Sequence, residues 1–154
     1  MTWWWLLVVA LRAAVPADSH AGCARELAAL DRVRATAFAS ADPALLADVY
    51  VAGSPLQDVD ARTIAHYRSR GGRVVGAVLQ VSQCRELERT AATIGLEVVE
   101  ALGPSLVRWD DGGATALPRD RPTRRQITLR HTADGWRISG SQPPAPTSGQ
   151  APGR

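Results

Sequence analysis

The spacing of apolar residues changes once along this chain, and that change limits the fold more than any other feature. Up to "RGGR", at positions 70–73, apolar residues recur every three to four residues, which is the helical period. After it the period is two, which is typical of strands, and helix signals do not return. At 154 residues and 45% hydrophobic, the chain fits one α+β domain with its helices first.

Three helices are predicted before the change of period. The first runs over Ala24–Ser40, where apolar residues alternate with Arg and Asp at helical spacing. The second starts with Asp42 as its N-cap and Pro43 at the first helical position. The third is predicted to be capped by Asp58 or Asp60 and to end at the glycines of "RGGR".

The rest of the chain is predicted to form an antiparallel sheet. The expected strands are Val74–Val81, Thr90–Leu102, Ser105–Trp109, Gln126–His131 and Trp136–Ser141. Gly103-Pro104 is interpreted as a turn that pairs the strands on either side of it, and "DDGG" as the next reversal. Asp134-Gly135 is expected to form the last hairpin turn, with both residues at positive φ.

Side-chain parity assigns one face of this sheet to the core. In the two strands around Gly103-Pro104 it places inward Ile94, Leu96, Val98, Glu100, Leu102, Val107 and Trp109. In the last hairpin the same argument places inward Ile127, Leu129, His131, Trp136 and Ile138. We expect this inward face to pack against the early helices.

The two ends of the chain are expected to lie outside the domain, which spans 23–141. "TWWWLLVVAL" is an apolar run within segment 1–22 that is too short to cross a bilayer. It is interpreted as a signal-peptide core or, alternatively, as an apolar helix packed on the domain, so the expected location is secreted or envelope, with the cytoplasm as alternative. Segment 142–154 is rich in Pro, Gly and Ser and is expected to be disordered.

Charge and cysteine content exclude several classes of function. All 18 basic residues are Arg and Lys is absent, which indicates codon bias more than selection for guanidinium groups, so no nucleic-acid partner is expected. No metal or cofactor motif occurs. Cys23 and Cys84 are expected to form a disulfide if the chain is exported, or else to remain two thiols.

Two segments resemble the nuclear transport factor 2-like superfamily, which includes SnoaL-like domains. They are the closing "DGWRIS" and the stretch "DPALLADVYVAGSP", which is similar to secreted actinobacterial members; with the element order, the resemblance spans about residues 24–141. It implies three N-terminal helices packed in the concave face of a curved antiparallel sheet. It also implies a cone-shaped roll whose open end can hold a pocket, and a homodimer.

The resemblance leaves function open between two hypotheses. The first is a non-catalytic, exported domain that binds a small apolar ligand or an envelope protein at the mouth of its cone, and meets a membrane only through its N-terminal segment. The ligand-binding candidates are Tyr50, Val98, Glu100, Val107, Trp109 and Trp136. The second is a cofactor-free isomerase or cyclase, with Glu100 as base and Tyr50 or His131 as hydrogen-bond donor.

Overall fold

A computed structural model describes residues 22–144, so the expectations for most of segment 1–22 and for residues 145–154 lie outside the described residues. Within residues 22–144, two α-helices and a 3-10 helix precede seven strands, as the change of period predicts. The helices are α1 (Arg25–Ser40), the 3-10 helix (Pro43–Asp48) and α2 (Pro55–Arg68). The strands are β1 (Gly72–Val75), β2 (Leu79–Arg89), β3 (Thr93–Leu102), β4 (Leu106–Trp109), β5 (Ala114–Ala116), β6 (Thr123–Thr132) and β7 (Gly135–Gln142).

The strands form two antiparallel sheets that are joined by one long bent hairpin. The larger sheet has the order β2-β3-β6-β7, and the smaller has the order β1-β4-β5. Segments 72–89 and 93–109 run alongside each other, so that β1 pairs with β4 and β2 pairs with β3. The bend lies at Gly76, whose φ is +80°, a region that non-glycine residues seldom occupy. This bend gives the sheet the curvature that encloses the helices.

The predicted pairing across Gly103-Pro104 is therefore wrong. Gly103 and Pro104 carry the chain from the larger sheet to the smaller one, and the Gly103 N–H donates to the carbonyl of Val78 across the bend. The chain bends at this point but does not reverse. The predicted single strand Val74–Val81 is in fact two strands, the second of which extends to Arg89.

Helix starts follow local capping chemistry, with one correction. Asp42 caps the 3-10 helix through a side-chain oxygen that accepts from the Ala44 N–H at 3.0 Å, as predicted. Helix α2 begins earlier than predicted, at Pro55, with Ser54 as its N-cap. Asp60 therefore lies inside α2, where its side chain is buried and free for a different role.

The last hairpin also differs in detail from the prediction. Thr132 pairs with Gly135, so the loop residues are Ala133 and Asp134. Gly135 has a φ of +105°, whereas Asp134 is not at positive φ. The two loop residues are therefore not at positive φ, and the positive φ falls on the first residue of β7.

The parity prediction for the core is confirmed by burial. Ile94, Leu96, Val98 and Leu129 have no exposed surface, and Val107, Ile127 and Ile138 are buried with them. These side chains pack against helix residues such as Leu27, Leu46 and Ile64. Trp109 and Trp136 are half-buried at the rim of this core.

His131 is the exception to parity, since its side chain is exposed. It lies at the end of β6, one residue before the strand ends, where its ring packs nearly perpendicular to the Trp136 ring. A side chain that faces inward from a strand is buried only where a helix packs over the sheet. The His131 side chain lies beyond the part of the sheet that the helices cover.

A disulfide between Cys23 and Cys84 ties the start of α1 to β2. It closes a loop with a sequence separation of 61 residues and so fixes α1 over the edge strand of the larger sheet. No helix between residues 22 and 144 combines the length and apolar character needed to cross a membrane.

Candidate ligand-binding site

A cavity of about 300 Å³ lies between α1, α2 and the concave face of the larger sheet. This volume is at the lower end of the range of about 300–1,000 Å³ that is usual for small-molecule sites. Aliphatic side chains from both layers form its walls: Leu27, Leu56, Leu79, Ile127 and Ile138. A set of polar side chains enters the same space: Asp31, Arg34, Tyr50, Asp60 and Glu100.

Regular secondary structure places these polar groups in the cavity. Leu27, Asp31 and Arg34 are spaced by four and three residues and therefore share one face of α1. Asp60 follows Leu56 by four residues on α2, and Glu100 has the inward parity of β3. Charged residues thus occupy core-facing positions of the helices and of β3, where apolar residues are usual.

One buried network joins α1 to α2 inside the cavity. The Arg34 guanidinium donates from Nε to Asp60 Oδ2 at 2.6 Å and from Nη2 to Asp60 Oδ1 at 3.1 Å. The Tyr50 hydroxyl donates to Asp60 Oδ2, also at 2.6 Å. Burial, and then the negative charge of Asp60, raise the pKa of Tyr50, so its phenol keeps its proton. The hydroxyl proton of Tyr50 is therefore committed to Asp60.

Asp31 is buried beside this network, and only one of its two carboxylate oxygens has a hydrogen-bond partner. Its Oδ2 accepts the backbone N–H of Leu79 at 2.7 Å. Its Oδ1 lies 3.8 Å from Nη1 of Arg34, which is too far for a hydrogen bond. Burial raises the pKa of Asp31, against the opposing effects of the Leu79 N–H and the Arg34 charge.

Glu100 enters the cavity from the opposite wall. Its residue is 8% exposed, and its nearest cation is Nε of Arg125, 3.7 Å from Oε1. That separation is an ion pair without a hydrogen bond, and the Arg125 side chain is itself 45% exposed. Burial raises the pKa of Glu100, because desolvation outweighs the attraction of Arg125.

Unsatisfied polar atoms are concentrated in this cavity. Between residues 22 and 144, four buried side-chain atoms have no hydrogen-bond partner: Glu26 Oε2, Asp31 Oδ1, Arg34 Nη1 and Glu100 Oε2. Three of these four belong to side chains that line the cavity. Natural proteins leave few such atoms, so their convergence identifies a place that can bind a polar group.

A second groove of about 340 Å³ runs between the start of α1 and β2, beside the disulfide. It shares Leu27, Asp31 and Leu79 with the cavity but lacks Arg34, Tyr50, Asp60 and Glu100. Its charged side chains are Arg25, which is exposed, and Asp31. We therefore assign the candidate site to the cavity between the helices and the sheet, where the polar groups converge.

The structure brings together only part of the residue set expected from the sequence. Tyr50 and Glu100 both line the cavity. The remaining ligand-binding candidates do not line it, because they belong to the packed core or its rim: Val98, Val107, Trp109 and Trp136. His131 is exposed and outside the cavity.

Sequence reasoning missed Asp31, Arg34 and Asp60. The available signal was their helical spacing from Leu27 and Leu56, which puts all three on the buried faces of α1 and α2. Within residues 22–144 there is no cluster of three or more His, Cys, Asp or Glu suited to hold a metal ion.

Comparisons with known proteins bear on the fold alone. Neither a protein-family model nor a curated protein matches the chain. The intermembrane-space region of chloroplast protein ARC6 matches with a TM-score of 0.52 and 10% identity, over 82% of this chain and 97% of that one. A candidate aromatic ring hydroxylase from Novosphingobium aromaticivorans matches with a TM-score of 0.50 and 11% identity, over 79% of this chain and 87% of that one.

These two matches span most of both chains, and at such identities they show a shared fold and nothing of a shared chemistry. A few helices packed against a curved antiparallel sheet is the arrangement expected from the sequence. The cavity described above lies on the concave side of this sheet.

Proposed function

We propose that this chain is a non-catalytic binding domain that holds a small, largely apolar ligand in the cavity between its helices and its sheet. The observation that carries the proposal is the convergence of three buried, unsatisfied polar atoms on one cavity with aliphatic walls. A ligand with an apolar body and one polar group would bury its body against Leu27, Leu79 and Ile127 and satisfy those atoms.

The hydrogen bonds of the cavity favour binding over catalysis. Proton transfer by Glu100 would need a second group to donate a hydrogen bond to the developing charge. The Tyr50 proton is held by Asp60, and Asp60 is neutralised by Arg34. His131 lies outside the cavity, so neither proposed partner offers Glu100 a free donor.

The domain is further proposed to act outside the cytoplasm, as an exported member of the actinobacterial type that "DPALLADVYVAGSP" resembles. The Cys23–Cys84 disulfide supports this, because such bonds persist in oxidising compartments. The apolar run in "TWWWLLVVAL" would supply the export signal. N-terminal sequencing of protein recovered from the native host tests it: an intact "MTWWW" start on cytoplasmic protein would refute export.

The ligand itself is best sought by native mass spectrometry of protein recovered from its host without denaturation. The wild type should carry a small bound molecule. Thr123→Trp, at the exposed mouth of the cavity, should lose it by blocking the space. Arg130→Trp, an equally exposed position on the same strand that does not line the cavity, should keep it. A wild type that carries no bound molecule, or a Thr123→Trp variant that keeps it in full, would overturn the binding proposal.

A second candidate function rests on one specific observation, the raised pKa of Glu100 within the same cavity as Tyr50. It is a cofactor-free isomerase or cyclase in which Glu100 removes a proton from carbon. In D2O such an enzyme would exchange deuterium into the molecule recovered with the protein, and Glu100→Gln would abolish the exchange. Absence of exchange in the wild type leaves binding as the function.

A further inference from the structure

The charges that line the cavity are unbalanced. Its carboxylates are Asp31, Asp60, Glu100 and Asp120, and its guanidinium groups are Arg34 and Arg125. When all are ionised, the carboxylates that line the cavity outnumber the guanidinium groups by two. The whole chain, in contrast, carries a formal net charge of +3. The cavity is an acidic site inside a basic protein.

Two of the four carboxylates have their hydrogen bonds met within the protein. Asp60 accepts from Arg34 and Tyr50. Asp120 accepts the backbone N–H groups of Leu102 and Arg121, at 3.0 and 2.8 Å. The unmet hydrogen-bonding capacity of the cavity carboxylates therefore belongs to the two remaining acids.

Those two acids are Asp31 and Glu100, which are 5% and 8% exposed. Their nearest guanidinium nitrogens are 3.8 and 3.7 Å away, beyond hydrogen-bonding distance. Asp31 Oδ1 and Glu100 Oε2 are both acceptors without a donor among the described residues 22–144. Two buried acceptors without donors fit a ligand group that carries several N–H bonds and a positive charge.

We propose that the cavity selects a primary ammonium group on a short aliphatic body, which donates to Asp31 Oδ1 and Glu100 Oε2. The inference rests on the proposed binding function and specifies the class of ligand. A carboxylate would accept from Arg34 Nη1, the buried donor without an acceptor among the described residues lining this cavity, but it would add negative charge and leave Asp31 Oδ1 and Glu100 Oε2 without a donor. A hydroxyl has one proton for two acceptors. A quaternary ammonium has no proton to donate, and such groups are recognised by aromatic cages, whereas Tyr50 is the one aromatic side chain among the described residues lining this cavity.

The test is an NMR titration of the full, disulfide-bonded chain with four matched probes: butylammonium, butyltrimethylammonium, 1-butanol and butyrate. The reporter is the backbone amide of Leu79, which donates to Asp31. Butylammonium should shift this signal saturably, and the other three probes should bind about tenfold more weakly or worse, the loss expected for a charge-assisted hydrogen bond.

Substitutions assign the binding to the two carboxylates. Glu100→Gln keeps the shape of a side chain that makes no hydrogen bond in the structure, and it should weaken butylammonium binding about tenfold. Asp31→Asn, which keeps an acceptor for Leu79, should do the same. The matched control is Glu97→Gln, on the opposite face of the same strand, which should leave binding unchanged.

Binding should also strengthen as the pH rises above 4.5, the ordinary pKa of a glutamate. Burial raises the pKa of Asp31 and of Glu100, so protons compete with the ammonium at low pH. The other charged groups that face these two acids are Arg34, Asp60, Asp120 and Arg125.

The outcomes separate the two proposals. If 1-butanol binds as tightly as butylammonium, or if Glu100→Gln keeps full affinity for the amine, the ammonium inference is overturned and ligand binding stands. If no probe binds to the wild type, the ammonium inference is overturned as well. The binding proposal is then decided by whether the protein recovered from its host carries a small molecule.

Discussion

Two glutamates on β3, three residues apart, face opposite sides of the larger sheet and differ in their hydrogen bonding. On the outer face, Glu97 Oε1 accepts from Arg85 at 3.2 Å and from Arg124 at 3.1 Å. Inside the cavity, Glu100 has Arg125 at 3.7 Å and makes no hydrogen bond through Oε2. The two side chains are almost equally buried, at 14% and 9% exposed, yet Glu97 is paired by hydrogen bonds on the outer face and Glu100 is left unsatisfied inside the cavity.

This difference shows that the chain tolerates a loss of stability inside the cavity. A buried polar atom without a partner costs about 1–3 kcal/mol, whereas an exposed ion pair contributes about 0–1 kcal/mol. Arg125 lies 3.7 Å from Glu100 but makes no hydrogen bond to it, so this buried carboxylate is only partly compensated. Positions that break the ordinary rules of burial are where a function is expected.

The largest expected effect comes from removing the cation of the buried network. Arg34→Met leaves Asp60 buried without its counter-ion and Tyr50 as its sole partner, so the free energy of unfolding should fall by about 3–5 kcal/mol. Arg85→Met, on the outer face, should cost no more than about 1 kcal/mol, because this side chain is 69% exposed. Urea denaturation of both variants measures the contrast, and equal losses would remove the distinction between the two faces.

The next effect concerns the wall of the cavity. Replacing Cys23 and Cys84 together by Ser should lower the free energy of unfolding by about 2–4 kcal/mol, because the unfolded chain gains a long open loop. Since the bond fixes α1 beside β2, hydrogen exchange at the Leu79 amide should accelerate more than at amides of β6. Adding a reductant to the wild type should cause the same faster exchange at the Leu79 amide, and it should leave exchange in the double variant unchanged. A uniform change across the sheet would show that the disulfide does not act on the cavity wall.

Replacing each glutamate by glutamine should change the free energy of unfolding by a smaller amount and in opposite directions, which tests the comparison directly. Glu97→Gln should destabilise the protein by about 0.2–1 kcal/mol through its lost ion pairs. Glu100→Gln should stabilise it at pH 7, because burial raises the pKa of Glu100 and so disfavours its charged form.

The sign follows from proton linkage at Glu100. A carboxyl whose pKa is raised by folding favours the folded state below the unfolded pKa of about 4.5, and this stability is lost as the pH rises through the higher folded value. Glu100→Gln should therefore reduce the loss of stability between acid and neutral pH, and Asp31 should account for part of what remains. Urea denaturation across that pH range measures the effect. If the free energy of unfolding of Glu100→Gln depends on pH as steeply as that of the wild type, the prediction is wrong.

Local pattern predicts the elements of this fold but not all of their partners. The alternation in β3 predicts its buried face, including Glu100. The Gly103-Pro104 step fits a reversal as well as a bend, and only pairing with the distant segment 72–75 decides between them. Strand β2 lacks the alternation because, as an edge strand, it is exposed along most of its length.

The candidate site shows the same limit. The positions of Asp31 and Arg34 on the buried face of α1 follow from helical spacing alone. That Arg34 meets Asp60, 26 residues further on, depends on how α1 packs against α2, and no local pattern records this. The expected partnership of Glu100 with Tyr50 needed the same knowledge, since the Tyr50 proton is taken by Asp60.

His131 should show the smallest effect and mark the boundary of the site. Its exposed ring packs nearly perpendicular to the Trp136 ring, with ring centroids 5.0 Å apart, and it does not line the cavity. His131→Ala should therefore change the free energy of unfolding by about 0.5 kcal/mol and leave butylammonium binding as it is in the wild type. Thermal melts and the Leu79 amide titration measure both. If ligand affinity falls with this substitution, the binding surface extends past the cavity to the end of β6, and the contrast between a satisfied exterior and an unsatisfied interior must be redrawn.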